Sequence, residues 1–244
     1  MDNIWYAILA GFVAQLIDGT LGMAYGLSAS SLLLTVGIPP AVASATVHAA
    51  EVFATGASAL SHHHFGNVDK ALFKKLALSG IIGAVLGSAL ISYVDGDEIK
   101  PFISWYLLLM GIIVIVKAFR PLVPPGALRH VKALGFVGAF LDTVGGGGWG
   151  PIVASSLMAQ GGEVRKTVGT VNASEFLITL AATITFMFTL GITQLGLVLG
   201  LAIGGVLAAP LGAYFCKRAP IKPLMAIVGI LIIFLSLNNL HLFW

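Results

Sequence analysis

The sequence has few charged residues for its length. Asp, Glu, Lys and Arg make up 9% of its 244 residues, whereas soluble domains carry about 25%. Mean hydropathy is +0.99, and apolar runs recur from end to end without a long polar block, which excludes a separate soluble domain. The composition therefore predicts an all-α, polytopic integral membrane protein whose function lies in the membrane or in short loops.

The sequence also has a single cysteine and no basic cluster near its N-terminus. The one cysteine, Cys216, excludes an intramolecular disulfide and a cysteine-based metal site, and its apolar surroundings favour ordinary packing. No Lys or Arg precedes the first apolar run, and that run leads to Asp18 rather than to a small-residue cleavage site. We therefore expect no cleaved signal peptide.

Segment length separates full membrane spans from shorter helices, because a helix needs about 20 apolar residues to cross the bilayer. Six segments reach roughly that length: 42–63, 76–94, 101–119, 167–189, 194–216 and 223–243. Four segments are shorter, and glycine-rich polar links join them in pairs: 4–17 with 27–38, and 133–144 with 149–160. Each pair predicts a re-entrant hairpin or two short, tilted helices.

Basic residues indicate how the chain is oriented. Twelve of the thirteen Lys and Arg residues fall on loops that three crossings per half place on one side, and Lys100 is the exception. Lys and Arg accumulate in short cytoplasmic loops. We therefore predict that both termini face outward.

The chain repeats itself at a spacing of 124 residues. "GFVAQLIDGTLGMAYG" (11–26) aligns with "GFVGAFLDTVGGGGWG" (135–150), and 15 of the 47 positions from 11 to 57 are identical to their counterparts. Each half makes an odd number of crossings, so the sequence predicts two inverted repeats, residues 1–122 and 123–244. Inverted repeats with broken helices near the midplane are typical of many secondary transporters.

Four acidic residues lie inside apolar segments and form two repeat-related pairs, Asp18 with Asp142 and Glu51 with Glu175. An ionisable group in the membrane costs at least about 2.5 kcal/mol, so each is a candidate functional residue. His48 and Glu51 share a helix face at spacing i, i+3. The aligned positions of the second half, Asn172 and Glu175, repeat that face.

The predicted core contains no Lys or Arg, and four ionised acids would repel a dianion. We therefore expect Glu51 and Glu175 to titrate during transport, with His48 as a nearby proton partner because its ordinary pKa lies near 6.5. A purely structural, hydrogen-bonded His48 is the alternative.

The aspartates and glycines of the hairpins have two possible roles. Asp18 and Asp142 can cap the half-helices that follow them, and glycine-rich helix starts present N–H groups that bind anions. Residues 145–148 are all glycine and would let an oxyanion approach the main chain, or would let helices pack closely. The first hairpin has Thr20, Leu21 and Met23 where glycines would be expected, which favours the second hairpin for backbone contact.

Metal binding is not favoured by the histidines. In "SHHHF" (61–65) consecutive side chains point in different directions, and polar residues at the membrane surface are the better interpretation. The spacing of His48 and Glu51 loosely resembles di-metal helices, but the repeat has Asn172 in place of the histidine. We predict neither a metal nor a cofactor.

The motifs together resemble the TauE/SafE family of sulfite and organosulfur anion transporters. The similarity covers almost the whole chain and is strongest at the two hairpin motifs, at "TVHAAEV" and at "VRKTVGTVNASEF". The resemblance implies an inner-membrane transporter that moves small sulfur oxyanions, sulfite first, generally outward. Sulfoacetate and thiosulfate are further substrates of such proteins.

The resemblance also implies where the anion binds and with what the protein associates. The expected binding residues are Asp18, Gly19, Thr20, Gly22, Tyr25, His48, Asp142, Thr143, Gly145, Gly146, Gly147, Gly148, Trp149 and Asn172. The expected partners are a small sulfur-containing anion and the lipid bilayer, and no nucleic acid. A monomer and a homodimer are both open.

Two other functions compete with anion transport. The unpaired acids would suit a cation-linked carrier of another small solute. Asp18 and Asp142 could also act as the carboxylate pair of an intramembrane enzyme. The inverted repeat and the lack of a Gly-x-Gly-Asp pattern count against an enzyme, and we expect none.

Overall fold

The computed structural model describes residues 4–119, 126–216 and 221–240, and these residues form helices and no strand. The all-α prediction is thus confirmed. In chain order the helices are α1 (Ile4–Leu21), α2 (Tyr25–Thr35), α3 (Pro40–His64), α4 (Lys70–Ser92), α5 (Gly96–Ala118), α6 (Val131–Gly145), α7 (Gly150–Ala159), α8 (Val164–Thr189), α9 (Leu195–Phe215) and α10 (Ile221–Asn239). The first turn of α7, Gly150–Ala154, is π-helical. The predicted repeat boundary at residue 122 and both chain termini lie outside the described residues.

Six of the described helices are long and apolar enough to cross a membrane: α1, α4, α5, α8, α9 and α10. This supports a multi-pass membrane protein. Five of the six correspond to predicted spans. The sixth predicted span, 42–63, forms α3, which has 25 residues but is not apolar enough to belong to this set. Its buried polar residues, which include His48, Glu51 and Thr55, lower its hydropathy.

The prediction of a short first helix, residues 4–17, is wrong. α1 has 18 residues and continues through Asp18 to Leu21. The helix ends before Gly22, whose φ of 71° is left-handed.

The helix bounds follow the 124-residue repeat. α1 and α6 end at aligned positions, Leu21 and Gly145, and each is followed by a glycine with a φ of 71°. α3 and α8 begin at aligned positions, Pro40 and Val164. The sequence repeat is therefore also a repeat of helix boundaries.

The two halves are packed into each other. α3 packs along α8 in the middle of the molecule, α1 of the first half packs on α9 of the second, and α6 of the second half packs on α4 of the first. α5 and α10, which are also aligned, pack on each other. The described residues therefore form one packed unit.

Contacts between loops mark the two ends of α3. At its beginning, Pro39 lies against Gly96 at the start of α5. At its other end, the ammonium of Lys166 in the first turn of α8 donates to the carbonyl of Gly66, at 2.8 Å. The loop after α2 and the loop before α8 thus lie at opposite ends of this 25-residue helix.

Candidate functional site

All sixteen residues predicted to bind the anion or to couple protons are buried. They lie at four places: the break between α1 and α2, the break between α6 and α7, the middle of α3 and the middle of α8. These four elements pack around one another.

The two breaks pack against each other main chain to main chain. A Cβ at Gly147 would overlap the backbone of Gly26 and Leu27, and a Cβ at Gly150 would overlap the backbone around Gly22. These two second-hairpin glycines therefore have a packing role that no other residue could fill without moving the hairpins apart.

Asp142 organises the second break. Its Oδ1 accepts the backbone N–H of Trp149 at 2.9 Å, and its carbonyl accepts the N–H groups of Gly146 and Gly147. The carbonyl of Gly146 in turn accepts from the hydroxyl of Ser30 on α2. The aspartate therefore caps the second half-helix. In this conformation three N–H groups of the glycine-rich segment are already bonded within the protein.

His48 of α3 connects to this break through Asp142. Its Nε2 lies 3.2 Å from Oδ2 of Asp142, and its Nδ1 lies 2.8 Å from the carbonyl oxygen of Ser44. The hydroxyl of Ser44 donates to the carbonyl of Thr143 at 2.6 Å. The predicted His48 is thus brought to the predicted Asp142, and Ser44, which sequence reasoning missed, supports both.

The first break has a similar main-chain turn, but the side chain that reaches it from the neighbouring helix is an amide rather than an imidazole. The carbonyl of Asp18 accepts the N–H of Gly22 at 2.6 Å and the side-chain amide of Asn172 at 3.3 Å. The amide oxygen of Asn172 accepts from the hydroxyl of Ser58 at 2.7 Å. Asn172 therefore contacts the main chain of Asp18, whereas the aligned His48 contacts a carboxyl.

Glu51 and Glu175 complete a group of four buried carboxyls. Glu175 is close enough to the other three for their charges to act on it, and Glu51 is close enough to Asp142 and Asp18. Oδ2 of Asp18 and Oε2 of Glu175 have no hydrogen-bond partner among the described residues. The acids therefore face one another, and each ionised member raises the electrostatic cost of the next.

The side chains of several predicted binding residues are bonded to main-chain carbonyls of the protein. The hydroxyl of Thr20 donates to the carbonyl of Leu16 at 2.6 Å, one turn back in its own helix. The Thr143 hydroxyl likewise donates to the main chain of its own helix. The hydroxyl of Tyr25 donates to the carbonyl of Leu201 at 3.0 Å. The Trp149 indole donates to the main chain of α8.

Tyr106 is a site residue that sequence reasoning missed. Its hydroxyl donates to the carbonyl of Gly147 at 3.0 Å, and its ring occupies the space that a Cβ of Gly145 or Gly148 would need. The repeat could not reveal it, because the aligned position is Ile230.

Lys117 is one of the twelve basic residues predicted to lie on loops of one side. Its ammonium reaches α7. It donates to the Ser155 hydroxyl at 2.5 Å and to the Pro151 carbonyl at 3.3 Å. A half-buried cation therefore lies against the first turns of the second half-helix, closer to the core than its place in the sequence indicated.

The expectation that the histidine run lies at the membrane surface is wrong for His62. This side chain is fully buried, and its Nε2 donates to the carbonyl of Gly19 at 2.9 Å while its Nδ1 accepts from the amide of Asn67. His63 and His64 are exposed, as predicted. Within the described residues no cluster of three or more His, Cys, Asp or Glu side chains is arranged to hold a metal ion.

Comparison with known proteins gives a consistent result. The family model described as "Sulfite exporter TauE/SafE" matches residues 7–239. The chain is 43% identical over 244 residues to "Probable membrane transporter protein YtnM" of Bacillus subtilis (strain 168), and the match covers 96% of this chain and 81% of that protein. It is 28% identical over 238 residues to "Probable membrane transporter protein ORF9" of Sinorhizobium sp, covering 92% and 88%. No solved structure matches the chain.

Proposed function

The chain belongs to the sulfite exporter TauE/SafE family, and on this premise we propose that it is a secondary transporter that exports sulfite or a related small sulfur oxyanion across the inner membrane. Both relatives are named as probable membrane transporters, which supports transport rather than enzymatic catalysis. The six long apolar helices support a path across a bilayer.

The observation that carries the proposal is the buried meeting point of two broken helices. Broken helices that leave N–H groups near the midplane are the usual anion sites of secondary transporters. Here the second break holds the N–H groups of Gly146, Gly147 and Trp149 on Asp142 alone. A movement that separates the hairpins would free these donors for an oxyanion, so binding and opening would be linked.

We propose that the two halves are inverted repeats that rock against each other in alternating access. The aligned helix bounds support this, and so does the exchange of partners, in which α1 packs on α9 and α6 on α4. The loop after α2 and the loop after α7 lie at opposite ends of α3, as inversion requires. The distribution of Lys and Arg supports an orientation in the membrane with both termini outside.

The charge of the core supports proton coupling. An anion entering beside four carboxylates would meet unscreened repulsion in a low-dielectric interior. Protonation of Glu51 and Glu175 removes two of these charges. We therefore expect the proton occupancy of these two acids to change with each transport cycle.

Uptake by purified protein in liposomes tests the substrate. Sulfite, sulfate, thiosulfate and sulfoacetate are offered one at a time, and saturable flux is measured against protein-free liposomes. Saturable uptake of sulfite or another of these sulfur anions supports the proposal. The absence of flux with all four would sink it.

The same assay at several external pH values tests the coupling in Glu51→Gln and Glu175→Gln. Glutamine keeps the size of the side chain and cannot ionise, so we expect both variants to lose the wild-type pH dependence. Glu98→Gln is the matched control, because Glu98 is exposed. Unchanged rate and pH dependence in both core variants would exclude these residues as the coupling groups.

A cation-linked carrier is the second candidate, favoured by the two buried carboxyl oxygens without hydrogen-bond partners among the described residues. Carboxylate oxygens are ligands for hard cations. Flux that depends on a metal ion and is indifferent to sulfur anions would favour this candidate.

A further inference from the structure

We propose that one of the protons carried with the anion is held between His48 and Asp142, and that the repeat-related pair, Asn172 and Asp18, holds none between its side chains. This inference rests on the proposed function, a proton-coupled transporter. It adds a site for one proton per cycle to the two glutamates named there.

The contacts of His48 indicate where its hydrogens lie. The carbonyl of Ser44 can only accept, so the Nδ1 atom, 2.8 Å away, carries a hydrogen. In a neutral imidazole the Nε2 atom then has a lone pair, which would face the lone pairs of Oδ2 of Asp142 across 3.2 Å. That contact is attractive only with a second proton between the two atoms. The proton lies either on His48, opposite a carboxylate, or on Asp142, donating to the ring.

The repeat-related pair cannot share such a proton. An amide does not titrate, and the amide nitrogen of Asn172 donates to the carbonyls of Asp18 and Val168 rather than to a carboxyl. Its oxygen accepts from Ser58. The two repeat-related pairs therefore differ in this one shared proton.

The groups that surround His48 come from several helices. Asp142 faces it from α6. The titratable groups whose charges act on one another around this pair are acids and phenols: Asp18, Tyr25, Glu51, Tyr106 and Glu175. The remaining ring neighbour is Phe186 of α8, with ring centroids 6.0 Å apart.

The proton also acts as a latch on the second hairpin. While it is present, Asp142 joins α3 through His48 and the start of α7 through Trp149. Without it, the imidazole lone pair would face a carboxylate and the contact would be repulsive, so the position of the hairpin is linked to the presence of the proton.

The test separates coupling from binding. In counterflow, labelled sulfite exchanges for unlabelled sulfite without net proton movement, whereas accumulation needs the proton gradient. One coupled proton supports at most about a tenfold accumulation for each unit of pH difference, since one pH unit corresponds to a tenfold change in an equilibrium. We expect His48→Asn to lower the ratio of gradient-driven accumulation to counterflow, by up to about tenfold for each unit of pH difference.

His62→Asn is the matched control. It removes a fully buried histidine of the same helix whose nitrogens bond to a carbonyl and an amide rather than to a carboxyl. Sulfite itself takes up protons near neutral pH, so a pH gradient alone changes its accumulation. The difference from this control therefore gives the part of the accumulation that depends on the proton between His48 and Asp142. Asp142→Asn serves as a second variant if His48→Asn fails to fold, because its amide can donate to Nε2 without an exchangeable proton.

Each outcome decides the question. A ratio of accumulation to counterflow equal to that of His62→Asn in either folded core variant overturns the inference, and so does loss of counterflow together with accumulation in a folded variant. A ratio below that of His62→Asn supports it. If the wild type moves no sulfite in either assay, the proposed function fails instead.

Discussion

Gly147→Ala tests whether the two hairpins are held together by main-chain contact. The added Cβ would overlap the carbonyl carbon of Gly26 and the nitrogen of Leu27, and would lie 2.9 Å from the Cα of Leu27. Ordinary contact begins near 3.4 Å. These atoms belong to the backbone and cannot rotate away, so the hairpins must separate. Overpacking costs about 1–3 kcal/mol, and we expect the upper end, about 3 kcal/mol.

The assay is thermal unfolding of the purified protein in detergent. For a chain of this size, 3 kcal/mol corresponds to a fall in the apparent Tm of about 6–12 °C. Gly196→Ala is the control, because a Cβ there meets nothing within 4 Å and the residue lies in the first turn of α9. A Gly147→Ala protein as stable as Gly196→Ala would refute the packing argument.

Two further predictions concern the hydrogen bonds of the second hairpin. Tyr106→Phe keeps the ring but removes the donor to a glycine carbonyl, and should lower the free energy of unfolding by about 0.5–1.5 kcal/mol; the exposed Tyr93→Phe should leave Tm unchanged in the same detergent assay. Asp142→Leu leaves the backbone N–H of Trp149 buried without its acceptor and should cost about 1–3 kcal/mol. A Tm at or above the wild-type value for Asp142→Leu would show that this cap does not stabilise the hairpin.

Most of the long helices and the alignment of their ends could be predicted from the sequence, because these features depend on local patterns. Apolar runs predicted five of the six membrane-length helices, and the 124-residue repeat aligned the residues at which helices begin and end. The capping role open to Asp142 is the one that the structure shows. Each of these depends on neighbours within about one helical turn or one hairpin.

Contacts between distant segments could not be predicted in the same way. Asp18 was expected after the end of α1, but the helix continues through it to Leu21. Tyr106 and Ser44 reach the second hairpin from other helices, and the repeat gives no sign of either. His48 contacts Asp142 because α3 passes the second break at that level, and nothing in the sequence indicated this contact.

The central claim is that a small sulfur oxyanion binds where the two hairpins meet. Selenite, the heavier analogue of sulfite, allows its position to be located directly by anomalous scattering in crystals of the protein. The account predicts one anomalous peak within hydrogen-bond distance of the backbone between Gly146 and Trp149, beside His48. A peak at any other place in the molecule would contradict it.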